Sequence, residues 1–144
     1  MTYTSDNATG SLAYTPVSNA NGSAVITVTV TDDGGTANGG VNSTTRTFTV
    51  AVTAVNDEPS FTKGSNITVN ENSGASTNSD WATSLSTGPS DESGQTLTFN
   101  VTNNNNSLFS FSSQPAISSS GTLTFTPTSN TNGSAILFVS LSDN

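Results

Sequence analysis

The chain has 144 residues, and its ten acidic and two basic side chains give a net charge of −8, which argues against nucleic acid and anionic membrane as partners. Cysteine and histidine are both absent, which excludes disulfides, thiolate chemistry, imidazole general-base catalysis and ordinary zinc sites. The length suits one ordinary domain, or one small domain and part of another. No apolar run approaches a membrane span and the first residues carry no signal-peptide core, so an export signal is expected outside this stretch.

Charged residues make up only 8% of the chain, and Ser, Thr, Asn and Gly are abundant, a composition that by itself would suit disorder. The order of the apolar residues argues otherwise. Leu12 and Tyr14 alternate on a short predicted strand that Pro16 ends, and Ser18–Gly22 is a turn cluster. Ala24–Thr31 alternates cleanly, with Ile26, Val28 and Val30 on one face and threonines on the other. A glycine-rich loop follows, and alternation resumes to Val55 with Phe48, Val50 and Val52 inward. Pro59 removes a backbone donor and biases Glu58 away from helix, so the strand is expected to stop there.

Beyond that point Ile67 and Val69 suggest a first strand, and Trp81 and Leu85 a second. Leu97, Phe99 and Val101 alternate strongly, and Leu108, Phe109 and Phe111 suggest a short strand. Leu123 with Phe125, then Leu137, Val139 and Leu141, complete the set. No segment has helical periodicity. Many short strands at hairpin spacing predict an all-β fold, a Greek-key β-sandwich.

The chain repeats itself. Residues 10–33 align with 121–144 at an offset of 111, with 12 identities in 24 positions, so the repeat is about one immunoglobulin-like domain long. On this reading residues 1–57 are the C-terminal half of one repeat plus a linker. Residues 58–144 are the N-terminal three-quarters of the next, and the only copy of the final strand is Thr44–Val55. A sandwich without that strand exposes a long edge. The expectation is therefore that the strand is donated between chains, or between adjacent stretches of an array, head to tail.

The acids gather at strand ends and in loops: Asp32-Asp33, Asp57-Glu58, Glu71, Asp91-Glu92 and Asp143. Polar loops are the ordinary explanation, but Asp32 and Asp143 fall at equivalent repeat positions. Asn56, Asp57 and Glu58 together offer three oxygen-bearing side chains at a strand exit, a start on a site for a hard cation such as Ca²⁺. EF-hand spacing is absent.

The stretch Asn56-Asp57-Glu58-Pro59-Ser60-Phe61 resembles the linker between cadherin repeats. Asp91-Glu92-Ser93-Gly94, Asn70-Glu71-Asn72 and Leu141-Ser142-Asp143 are similar to further acidic motifs of that family, in the family's order. The whole is similar to the cadherin-like or Ig-like tandem repeats of giant bacterial surface adhesins. The resemblance implies Ca²⁺ at the junction between successive domains. At the junction within this chain it implies ligands from Asn56, Asp57, Asp91 and Asp143; Glu71 would serve the next junction and Asp32 the previous one. The family's second aspartate is replaced by Ser93, which implies a weaker site.

The expectation is thus a non-enzymatic, calcium-stiffened segment of an extracellular adhesin or surface fibre, whose partners are neighbouring copies and a cell-surface or glycan ligand. The alternative is a carbohydrate-binding sandwich, in which Trp81 would stack on a sugar ring.

Overall fold

The computed structural model describes residues 9–144, and their regular structure is β-strand apart from three single 3₁₀ turns. The chain divides into two compact units, one ending at Val55 and the other running Asn56–Asn144.

The first unit is built on one antiparallel hairpin, β1 (Gly22–Thr31) and β2 (Ser43–Val52). Its register runs without a break from Gly22 opposite Val52 to Thr31 opposite Ser43. The Thr–Val alternation dictates this, because β-branched side chains suit a pleated surface and period two sorts them onto two faces. On one face the Thr29 and Thr45 hydroxyls meet across the strands at 2.9 Å. On the other, Phe48 is still 43% exposed, so the hairpin's apolar side is poorly covered. Leu12 and Tyr14, expected on a strand, are exposed and lie on no strand among the described residues.

The second unit contains seven short strands in three small antiparallel sheets. β3 (Ser60–Lys63) pairs with β5 (Ala82–Ser86). β8 (Leu123–Phe125) lies between β4 (Ser76–Asn78) and β7 (Ala116–Ile117). β6 (Thr98–Asn103) pairs with β9 (Leu137–Ser142), from Thr98 opposite Ser142 to Asn103 opposite Leu137. Along both β6 and β9, exposure alternates residue by residue, as expected for half-buried strands.

The core is Ala82, Phe109, Ile117, Leu123 and Phe125, with Phe61, Trp81, Phe99, Leu137 and Val139 packed around it. Two edge-to-face ring pairs stitch it: Phe61 with Phe99 at 5.2 Å and Phe109 with Phe125 at 5.6 Å. Gly121 permits the closest approach. Its φ is +87°, Ala82 N donates to its carbonyl at 2.9 Å, and a Cβ there would collide with the Ala82 carbonyl.

Three further details differ from the sequence expectation. Ile67 and Val69 lie on a stretch without strand pairing, and the strand that opens this unit is instead Ser60–Lys63. Alternation alone does not make a ladder; a free edge must also be within reach. The run Leu108–Phe111 forms a 3₁₀ turn and a single bridge from Phe109 to Pro127, not a strand. The Gln114 side-chain amide holds this loop by donating to the carbonyls of Asn106, Phe109 and Ser110, and Phe111 is left 99% exposed. Finally, β2 stops at Val52, so Thr53–Pro59 forms no ladder.

Candidate cation site

The second unit opens on Asn56 and Asp57, and the β6–β9 ladder determines what they meet. Because Thr98 pairs with Ser142, the residues just before β6 come alongside those just after β9. Thr96 N donates to Asn144 Oδ1 at 2.6 Å and closes that end of the ladder. Asn56 sits at this end. Its Nδ2 donates to Asp143 Oδ1 at 3.1 Å, and its Oδ1 accepts from Gln95 Nε2 at 2.8 Å.

Glu92 completes the group. Pro89 starts a 3₁₀ turn, Ser90–Glu92, that directs this carboxylate inward, where it is 7% exposed. Its Oε1 accepts from the backbone N–H of Asp57 at 2.7 Å. The space for it is made by Gly88, at φ +127°, where a Cβ would collide with Glu92 Oε2 and meet Asp57 Cβ at 3.4 Å.

The hydrogen-bond balance of the cluster is one-sided. Glu92 Oε2, Gln95 Oε1 and Asp143 Oδ2 are buried and have no hydrogen-bond partner. All three are acceptors. Buried acceptors without donors are costly, and carboxylate oxygens most of all. Neither base of the chain is drawn to them: Lys63 donates to the Gly64 carbonyl and Arg46 to Thr44 and the Thr45 carbonyl. Two carboxylates and an amide carbonyl suit a hard, oxygen-seeking cation, and the donor types are those Ca²⁺ takes. Among the described residues no group of three or more Asp, Glu, His or Cys side chains is gathered for a metal. The acids here are instead interleaved with amides, which supply oxygen without further repulsion between like charges.

Of the six residues expected to ligate, Asn56, Asp57 and Asp143 come together here, although the contact Asp57 makes is through its backbone N–H. Asp91 lies on the exposed side of the 3₁₀ turn, next to buried Glu92. Glu71 is on a different turn of the same unit, beside the paired amides of Asn72 and Asn130. Asp32, in the first unit, closes its own loop by accepting from Gly34 N at 2.9 Å, an Asx turn. Glu92 and Gln95 escaped sequence reasoning. The available signal was the acidic pair after a proline, which fixes a turn and sends adjacent side chains to opposite sides. Trp81 packs against the core and donates through Nε1 to the Ser65 carbonyl at 3.0 Å. Compared with protein-family models, curated proteins and solved structures, the chain matches none.

Proposed function

We propose that the second unit is a Greek-key sandwich repeat of an extracellular adhesin or surface fibre, stiffened where it begins by Ca²⁺. The observation that carries the reading is the set of three buried acceptor oxygens, on Glu92, Gln95 and Asp143, whose side chains bond the unit's first two residues, Asn56 and Asp57. Glu92, Gln95 and Asp143 would hold the ion, with Asn56 orienting two of them. A cation bound there ties the incoming chain at Asn56–Asp57 to the loop before β6 and to the end of β9. The linker then continues the sandwich rather than swivelling on it, which is what a load-bearing tandem repeat requires. The duplication of residues 10–33 at 121–144 supports the tandem arrangement, and the charge-poor, threonine-rich strands are in keeping with an extracellular setting.

Thermal unfolding in millimolar Ca²⁺ and in excess chelator tests the reading. Ca²⁺ at about a hundred times its dissociation constant adds roughly 2.7 kcal/mol by mass action. Coincident melting curves in the two conditions would remove the cation from the proposal.

A further inference from the structure

Two hollows open on the second unit. One, a groove of about 760 Å³, lies beside β9 and is lined by Leu137 and Val139 of that strand and by Trp81. The other, of about 730 Å³, lies between residues 106–114 and 126–129. Phe111 lines this second hollow and is fully exposed, so its ring stands at the rim.

The local fold does not ask for an aromatic there. Phe111 follows Ser110 in a β-turn closed by Ser113 N, which donates to the Ser110 carbonyl at 2.9 Å. Proline and small polar residues favour such corners, and the exposed ring leaves its whole apolar surface in water. The turn is also tied down. Ser110 N donates to the Thr126 carbonyl at 2.8 Å, Thr126 N donates to the Ser113 carbonyl at 3.1 Å, and the Gln114 amide holds three carbonyls behind the ring. A ring held out on a fixed turn loses little freedom when something settles on it.

The surface around the ring decides what that is. Asn106, Ser107, Thr126, Thr128 and Ser129 share the hollow, and among the described residues no acid or base lines it. An anionic or cationic ligand therefore meets no opposite charge there. The hydroxyls of Thr126 and Thr128 donate to Ser113 Oγ and to the Ser107 carbonyl, at 3.0 and 2.9 Å, and keep lone pairs with which to accept. The Asn106 side-chain amide takes no part in the bonds that hold the turn, and it can both donate and accept.

An apolar C–H face, edged by hydroxyls and without charge, is the chemistry of a neutral sugar ring. We infer that this hollow binds a neutral oligosaccharide, with one pyranose face on Phe111 and its hydroxyls bonded to Asn106, Thr126 and Thr128. A protein partner fits less well. A stable interface covers roughly 800 Å² on each side and centres on a cluster of anchors, whereas here one ring stands alone. Trp81, which the sequence offered for sugar stacking, is committed to the core and to the Ser65 carbonyl.

This inference depends on neither the cation nor the repeat. The full chain is titrated with neutral cello-, xylo-, manno- and chito-oligosaccharides, and with a sulfated heparin oligosaccharide, while its amide resonances are followed. At least one neutral sugar should shift the amides of residues 110–114 and 126–129 saturably, and the heparin oligosaccharide should not. Phe111→Ala should weaken that binding roughly tenfold with the melting curve unmoved, and Phe111→Tyr should retain it. Phe138→Ala, which removes another exposed ring, should leave the affinity as it was. The proposal is overturned if no neutral sugar moves these amides, or if heparin binds as well as the neutral sugars. Binding that survives Phe111→Ala, or falls equally with Phe138→Ala, overturns it too. Self-association of the sugar-free chain that Phe111→Ala abolishes would assign the ring to a protein contact instead.

Discussion

Glu92 is the residue on which the cation reading turns. Its side chain is buried, yet only one of its two oxygens has a donor. Replacing it by glutamine exchanges an acceptor for a donor at almost constant shape. In chelator Glu92→Gln should therefore be as stable as the parent or more so, since a buried charge disappears. In Ca²⁺ the order should reverse, because most of the roughly 2.7 kcal/mol increment is lost with the ligand. Paired melts of the two proteins in both conditions check this, and the same rank in both would defeat it. Asp143→Asn should follow the same pattern, whereas Asp80→Ala, outside the cluster, should leave the increment intact. Gly88 offers an independent test at the same place. Gly88→Ala puts a methyl group where Glu92 Oε2 lies and forces a side chain onto a φ of +127°, which should cost about 1–3 kcal/mol. Gly94→Ala, where a Cβ meets nothing within 4 Å, is the matched control and should change stability little.

At the scale of single elements, the two ladders with the cleanest alternation should behave differently. β1–β2 is the longer, but it forms a two-stranded sheet with Phe48 and Val25 well exposed. β6–β9 is shorter, but Phe99, Val101, Leu137 and Val139 pack against the core. Amides of β1 and β2 should exchange with solvent at least about tenfold faster than those of β6 and β9, since local stability follows burial and not ladder length. Hydrogen exchange read residue by residue decides the point; equal protection would mean that something covers the hairpin. The contrast also marks what was legible in the sequence. Period-two alternation located β1, β2, β6, β8 and β9, because alternation is a local property that any pleated strand must show. It misplaced a strand at Ile67–Val69, where pairing depends on an edge from elsewhere. It missed β3, where Phe61 is the only apolar residue in a four-residue strand. Of the candidate cluster, Asn56, Asp57 and Asp143 were legible as oxygen-bearing side chains at strand ends, whereas Asp32, the repeat equivalent of Asp143, closes a turn of its own. Which acid of Asp91-Glu92 turns inward was not legible, because that depends on a single 3₁₀ turn.

Taken as a whole, the second unit is held by very few fully buried side chains, so each should matter. Leu123 is 2% exposed, on the central strand of its sheet. Leu123→Ala should cost roughly 2–5 kcal/mol through lost burial and the cavity left behind. Phe111→Ala, at 99% exposure, should be nearly neutral despite removing a larger group. Urea titration of the two variants against the parent separates them; a Phe111 effect matching that of Leu123 would mean that its ring is covered in solution. The same small core has an optical consequence. The chain holds a single tryptophan, and Trp81 lines the groove beside β9 while its indole N–H is held by the Ser65 carbonyl. Its fluorescence therefore comes from one place only. Any apolar group laid into the groove would shed the water next to the ring and move the emission to shorter wavelength. The molecule thus carries its own dye, and a titration in a cuvette, with no label attached, would report whether anything covers the groove.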